Sequence, residues 1–350
     1  MEQYDVIVIG GGQSGLAMGY FLRRTGFKYI LLDEQNTAGG AWIHGWDSLK
    51  LFSPAEHNAL PGWPMPKQPG HEYPTKDHVI NYLEEYEKKY KLSVQRPVKV
   101  EQVNYVNQQF QLSTSVGQLQ TKTLVSATGS WANPYTPEYE GLSSFEGLQV
   151  HSAFYESPEK FADQHVLVIG GGNSGAQILA EVSKVANTTW ITLTEPKLLP
   201  DEVDGRYLFE FATKQYKARM EGKDIKPAGG LGDVVMVDSV KEARSRNVLH
   251  SKRPFRSFYD KGVIWPDGSQ TPIDAVIWCT GFKASLNHLD GLNLRNENGK
   301  IDTKGTQAIN QPGLWLVGYG SWTGYASATL IGVGRTARQT VKEIQAYLQQ

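Results

Sequence analysis

The sequence predicts an α/β fold built of two Rossmann-type, three-layer dinucleotide-binding domains, and three observations carry that prediction. Gly10-Gly11-Gly12-Gln13-Ser14-Gly15 follows the β-branched run Val6-Ile7-Val8-Ile9 and opens a segment of helix-forming residues. The same order returns at Val166-Leu167-Val168-Ile169 and Gly170-Gly171-Gly172-Asn173-Ser174-Gly175. Each half then closes on a similar strand end, Ala127-Thr128-Gly129 in one and Cys279-Thr280-Gly281-Phe282 in the other. That echo argues for one such domain inserted in the other. The glycines have steric tasks: a tight strand-to-helix turn, close backbone approach to a pyrophosphate, and close packing of helix on strand. A single GxGxxG would be weak evidence, because glycine-rich turns are common, whereas two in the same context are hard to dismiss.

Taken in order, the first unit runs strand, glycine turn, helix (Gly15 to Gly26) and a second strand, Tyr29-Ile30-Leu31-Leu32, ending in Asp33-Glu34. Asp33 lies 23 residues after Gly10, where this fold holds a ribose hydroxyl pair; an ordinary charged strand end is the plainer alternative. The irregular stretch from Ala38 to Thr75 is of a length more often functional than idle inside a compact domain. Its Gly39-Gly40-Ala41-Trp42 and Leu49-Lys50-Leu51-Phe52-Ser53-Pro54 can set backbone amides and an aromatic face against a planar cofactor, although Trp42, Trp46 and Trp63 serve packing equally well. Thr75 to Lys91 predicts a helix capped by Thr75, with Val79, Tyr82, Leu83 and Tyr86 on its inner face. Strands alternate between Val94 and Leu124, with a hairpin turn at Val116-Gly117-Gln118. The second unit starts near Asp163, and its strand Trp190 to Thr194 ends at Glu195. Ala275 to Gly281 closes that unit, and a final strand, Gly313 to Gly318, and a helix, Gly332 to Tyr347, return to the first domain. The boundaries expected are 1–157 with 286–350 for one domain and 158–285 for the other.

The bulk composition narrows the function. With 350 residues and 40% hydrophobic content the chain can bury more than one core. A formal net charge of −1 with interspersed signs implies neither nucleic acid nor an acidic membrane as partner. The most basic stretch, Lys241 to Lys261, reads as a solvated helix and loop, with the lining of a cofactor channel as the alternative. Cys279 is the single cysteine, so there is no disulfide framework, and it resembles a small apolar strand residue. The chain enters its first strand without a basic, apolar leader and carries no apolar run of the ~20 residues a span needs; a cytoplasmic protein is expected. No metal-ligand cluster, acid–base pair or activated serine stands out.

Between the repeats, Phe145-Glu146-Gly147-Leu148-Gln149-Val150-His151-Ser152-Ala153-Phe154-Tyr155 fits F-x-G-x-x-x-H-x-x-x-[F/Y/W]. This resembles the signature of class B flavoprotein monooxygenases, and the glycine fingerprints, Gly39 to Trp42 and the two Thr-Gly strand ends agree with that family in order and spacing. The chain is similar to the short bacterial flavin-containing monooxygenases, often labelled CzcO-like, rather than to the longer Baeyer–Villiger enzymes, since Tyr155 stands without their Trp-Pro.

The resemblance implies FAD on the first fingerprint and NADH or NADPH on the second. Hydride would pass to FAD, the reduced flavin would take up dioxygen as a C4a-(hydro)peroxide, and a sulfide, an amine or a ketone would receive one oxygen atom. The FAD set expected is Gly10, Gly12, Gln13, Ser14 and Gly15, with Asp33, Glu34, Gly40, Trp42, Leu51, Ser53 and Val98. Ala127, Thr128 and Gly129 join them, as do Gly318, Trp322 and Thr323 of the glycine-rich segment, where Thr323 and small residues can offer amides to the ring. The nicotinamide set is Gly170, Gly172, Asn173, Ser174 and Gly175, with Thr194, Glu195, Thr280 and Gly281. Asn58 falls where relatives place an asparagine near the flavin ring, with His57 a competing candidate. His151 is expected to act indirectly, by packing the linker between the domains.

Glu195 stands where a 2′-phosphate-binding enzyme would more often supply arginine, so NADH is expected to serve at least as well as NADPH unless Lys197 or the basic stretch reverses it. Other readings are an NAD(P)H oxidase or flavin reductase without oxygen transfer, and a dinucleotide sensor without catalysis. A disulfide reductase needs a cysteine pair that the chain lacks. The remaining partners are dioxygen and a small organic substrate, and the resemblance allows a homodimer.

Overall fold

The computed structural model describes residues 2–208, 214 and 233–349. Two compact units emerge: Met1–Ile43, Ser53–Asn133 and Ala284–Gln350 form one, and His44–Phe52 with Pro134–Lys283 forms the other.

The first unit holds β1 (Glu2–Ile9), α1 (Gln13–Leu22), β2 (Tyr29–Leu32), α2 (Lys76–Tyr90), β3 (Val94–Gln95), β4 (Val100–Val106), β5 (Gln109–Thr114) and β6 (Gly117–Ser126). β15 (Thr303–Lys304), β16 (Gln307–Ala308), β17 (Leu314–Leu316) and the last helix, α5 (Leu330–Leu348), complete it. The sheet runs β15-β16-β17-β6-β1-β2-β3, with β5 pairing both β4 and β6. β1 lies parallel between β2 and β6, and Val6 to Ile9 are buried, as a strand covered on both faces requires. The order reverses at β1, so the glycine turn after it opens at the crevice where strands diverge.

α2 follows its pattern. Thr75 Oγ1 accepts the His78 amide, Lys91 ends the helix in the left-handed region, and Val79, Tyr82, Leu83 and Tyr86 are buried. Burying Val79 and Leu83 stabilises by roughly 1.5–3 kcal/mol each. The two tyrosines also tie down the preceding irregular stretch. Tyr82 donates to the Trp63 carbonyl at 2.7 Å and accepts the Leu60 amide, and Tyr86 donates to the Pro61 carbonyl at 2.6 Å.

The second unit contains β7 (Leu148–His151), β8 (His165–Ile169), α3 (Asn173–Val182), β9 (Asn187–Ile191), α4 (Asp238–Ser245), β10 (Ser251–Lys252) and β14 (Ala275–Trp278), with a small antiparallel sheet of β11 (Ser257–Tyr259), β12 (Gly262–Ile264) and β13 (Gln270–Pro272). Its main sheet, β10-β9-β8-β14-β7, is parallel throughout. The Phe145 to Tyr155 segment supplies β7, so it belongs to this unit.

Several ends differ from expectation. β9 stops at Ile191 and β14 at Trp278, each three residues short of the expected end, although the Thr192 and Cys279 amides still bond the Lys252 and Ile169 carbonyls. The β5–β6 turn is Ser115-Val116, with Gly117 already in strand. Thr329 caps α5 through the Gly332 amide, so that helix starts at Leu330. The chain leaves the first unit at Asn133 and re-enters at Ala284, and the Asn133 side chain donates to the Ala284 carbonyl at 3.1 Å. In the second unit, Pro134 and Phe282 form a β-bridge.

Candidate functional site

The two glycine turns share one construction. In the first, the Gly10 amide bonds the Leu32 carbonyl at 2.7 Å and the Ala127 amide bonds Ile9 at 2.8 Å. In the second, Gly170 bonds Ile191 at 2.9 Å and Cys279 bonds Ile169 at 2.7 Å. Gly10 has φ +112, and a Cβ there would lie 2.5 Å from the Ala127 carbonyl oxygen; Gly170 has φ +134 and would overlap the Cys279 carbonyl in the same way. A Cβ on Gly15 or Gly175 would overlap the carbonyl of Gly10 or Gly170. These four positions admit only glycine, for reasons of backbone space. Helices α1 and α3 begin after Gly12 and Gly172 with no side-chain cap and no acidic residue in the first turn. Their first amides and positive ends are therefore open to an anion, and a pyrophosphate fits either cradle.

Around the first cradle the structure gathers most of the expected residues. Asp33 is 3% exposed and lies against Gly11, where a Cβ would sit 2.6 Å from the Asp33 Cβ. Glu34 is exposed. A Cβ on Gly40 would lie 2.6 Å from Gly12 Cα, so that loop approaches the fingerprint backbone directly. The Trp42 indole donates to Gln13 Oε1 at 3.0 Å, and Gln13 donates to the Ala328 carbonyl at 2.6 Å. A Cβ on Gly318 would overlap Ser14 Oγ.

Other members stand differently. Val98 is buried in the core and bonds the Asp33 carbonyl through its amide at 2.7 Å. Leu51 falls in the second unit, whereas Ser53, 1% exposed, is in the first. The Trp322 indole donates to Ile301 at 3.1 Å and its ring packs on Tyr319, centroids 5.3 Å apart. The amide of Thr323, expected to be offered to the ring, is bonded to Gly320 at 3.0 Å, because this segment closes as a tight turn. Asn58 is 3% exposed and turns its amide on its own loop, to Ser53 O and Oγ and to Pro54 O at 2.8–3.0 Å.

Sequence reasoning missed a buried polar chain beside Thr128. Thr128 Oγ1 donates to the Ser285 carbonyl at 2.6 Å, so its lone hydroxyl hydrogen is spent. Tyr319 must therefore donate to Thr128 at 2.7 Å, Ser126 to Tyr319 at 2.6 Å, and His288 Nε2 to Ser126 at 3.1 Å. The direction makes His288 an Nε2–H donor, and burial, aided by Arg295, pulls its pKa from 6.5 to about 4, so it is neutral. Burial likewise raises the Tyr319 phenol. No sequence signal marks this chain, because every bond in it joins residues more than 150 positions apart.

In the second cradle, Asn173 holds both sides of one strand-like segment, donating to Asp233 O at 3.0 Å and accepting from the Val235 amide at 2.8 Å. Ser174 is half-buried beside it. Thr280 donates to the Tyr135 carbonyl, and Gly281 has φ +82. His151 Nδ1 accepts the Ala153 amide and Nε2 faces the Gly281 carbonyl, both at 3.1 Å, so the ring is neutral with its hydrogen on Nε2. Burial lowers its pKa against the opposing carbonyl bonds. Thr194 and Glu195 are exposed beyond the end of β9. Arg253 pairs with Glu195 and also bonds Thr192 O and Oγ1 at 3.1 and 2.8 Å. Lys197 is paired with Asp233 at 2.9 Å. Three cations of the basic stretch are held in ion pairs: Arg253 on Glu195, Arg244 on Asp201 and Arg246 on Glu242. Burial pushes the Cys279 thiol up to about 12, which leaves no thiolate for exchange. Among the described residues no group of His, Cys, Asp and Glu could hold a metal, and no helix is long and apolar enough to cross a membrane.

The profile of the family "Pyridine nucleotide-disulphide oxidoreductase" matches residues 7–222, more than half of the chain. The chain belongs to that family. This oxidoreductase is 31% identical over 347 residues to the uncharacterized oxidoreductase CzcO of Bacillus subtilis, covering 97% of this chain and 99% of the relative. A solved flavin-containing monooxygenase from Stenotrophomonas maltophilia matches it with TM-score 0.91 and 49% identity, over 99% of this chain and all of that one. An indole-3-pyruvate monooxygenase of Oryza sativa is 26% identical, over 97% of this chain and 90% of its own. The oxidoreductase is therefore an enzyme of the short bacterial flavin-monooxygenase type, with FAD and NAD(P)H as its cofactors.

Proposed function

We propose that this enzyme is a monooxygenase that holds FAD on the first fingerprint and the nicotinamide cofactor on the second, and transfers one atom of dioxygen to a soft nucleophile, a sulfide or an amine, with a ketone as a further candidate. The observation that carries the reading is the duplicated cradle: two glycine turns of the same geometry, each opening an uncapped helix N-terminus, in one chain. The bound flavin supplies hydride acceptance and dioxygen activation, which explains why no acid–base pair is needed from the protein. The chain supplies holding and orientation. The α1 and α3 N-termini bind the two pyrophosphates, and Asp33 accepts the ribose hydroxyls of FAD. His151 holds the Gly281 turn from within its own unit as a neutral hydrogen-bond bridge.

Glu195 repels a 2′-phosphate and can accept ribose hydroxyls, while Arg253 beside it offsets that repulsion. NADH therefore serves at least as well as NADPH, with NADPH tolerated through Arg253. Steady-state turnover with both cofactors on a panel of sulfides, amines and ketones tests the whole reading. The expected result is oxygenated product in step with oxygen consumed, and kcat/KM for NADH no lower than for NADPH. Hydrogen peroxide as the only product would make the enzyme an oxidase. A strong NADPH preference would sink the cofactor assignment.

A further inference from the structure

The Asp33 carboxylate is held by a second residue that no motif marks. Arg96 Nε donates to Asp33 Oδ2 at 3.1 Å, and its two terminal nitrogens grip the two oxygens of Glu87, each at 2.8 Å. The side chains of Asp33, Arg96 and Glu87 are 5%, 15% and 18% exposed, so the trio is shielded from solvent. Three elements meet here: Asp33 follows β2, Arg96 follows β3, and Glu87 lies on α2. Burial works against the charge on Arg96, but Glu87 and Asp33 outweigh it and keep the guanidinium above its usual pKa. The bidentate grip of Glu87 fixes the plane of the guanidinium, and that plane fixes where Nε points.

An ionised carboxylate offers about four lone-pair positions. Asp33 uses one on Oδ2 for Arg96 and one on Oδ1 for the Gln35 amide at 3.3 Å. One position remains on each oxygen, with Oδ2 the one beside Gly11, and two free positions match two adjacent hydroxyls. Two anions and one cation give the trio a net charge of −1, so a phosphate in place of either hydroxyl would be repelled.

We propose that Arg96, clamped by Glu87, is the positioning residue that presents Asp33 to the vicinal hydroxyls of the FAD adenosine ribose and makes the first site selective for an unphosphorylated ribose. This rests on the assignment of FAD to the first fingerprint.

The full chain, stripped of flavin, is titrated with FAD and with an FAD analogue lacking both adenosine ribose hydroxyls, and flavin fluorescence reads the Kd. Arg96→Gln should weaken FAD about ten-fold and Glu87→Gln about three-fold, while both losses should shrink below about two-fold with the analogue. That selective loss is one a merely structural role would not produce. Equal losses on both compounds, or unchanged FAD affinity in both variants, overturn the inference. Should Arg96→Gln fail to fold, judged from the melting temperature of the flavin-free protein, Glu87→Gln carries the same comparison with Arg96 in place. Asp33→Asn separates the two levels. If it weakens FAD while the Arg96 and Glu87 variants bind normally, only the positioning role fails; if it binds FAD like the parent, the FAD assignment fails with it.

Discussion

At the scale of single residues, His288 makes the sharpest prediction, because its state follows from geometry. It is 8% exposed, donates from Nε2 to Ser126, and has a pKa lowered from 6.5 to about 4 by burial, with Arg295 adding to the effect. The unfolded chain takes up a proton near pH 6.5 that the fold refuses until about pH 4. The stability this neutral ring supports is therefore complete above 6.5, falls as pH drops towards 4, and then levels off. Between pH 7 and 5 the parent should lose about 2 kcal/mol that His288→Gln does not, measured by denaturant unfolding at each pH. Equal losses in both proteins would contradict the assignment. The placement of Asp33 beside the first glycine turn was legible from its position at a strand end 23 residues after Gly10, because the fold fixes that spacing. Arg96, 63 residues from Asp33, and Tyr319, 193 from Ser126, were not, because tertiary packing and no local period brings them together.

At the scale of elements, the strand–glycine–helix units were the most legible part of the chain, since the steric demand for glycine and for a doubly buried strand acts within about ten residues. Turns without such a demand were harder to see. Asn107-Gln108 joins β4 to β5 with φ of 51° and 63°; asparagine tolerates the left-handed region, but glutamine does not ordinarily enter it and so gives no turn signal. Gly175→Ala, whose Cβ would overlap the Gly170 carbonyl, should destabilise the second unit by roughly 1–3 kcal/mol. KM for the nicotinamide cofactor should rise at least several-fold while the bound flavin spectrum stays unchanged. Loss of flavin with an unaltered KM would reverse the assignment of the cradles.

At the scale of the whole molecule, the division of labour is testable without turnover. In amide hydrogen exchange, FAD added to flavin-free protein should protect 10–15, 33–42 and 127–129, and NAD+ should protect 170–175, 192–195 and 280–281. A hundred-fold excess of FAD over its Kd should also add about 2.7 kcal/mol to the stability of the state that binds it. Protection in the opposite pattern would exchange the two roles. The domain echo was readable in the sequence because each half closes on Thr-Gly. The split at 44–52 was not, since nothing local shows that this short segment leaves one core to pack, through Trp46, in another.

The contact between Asn133 and Ala284, together with the bridge of Pro134 to Phe282, means that the chain exits and returns through neighbouring points. Along the chain, the 150 residues from 134 to 283 interrupt the first unit between two adjacent points, as the tip of a hairpin would. Loop closure is then nearly indifferent to what the hairpin carries. Such a junction behaves as a socket: a different module grafted between 133 and 284, with 44–52 replaced to match it, leaves the register of the first unit's sheet unchanged.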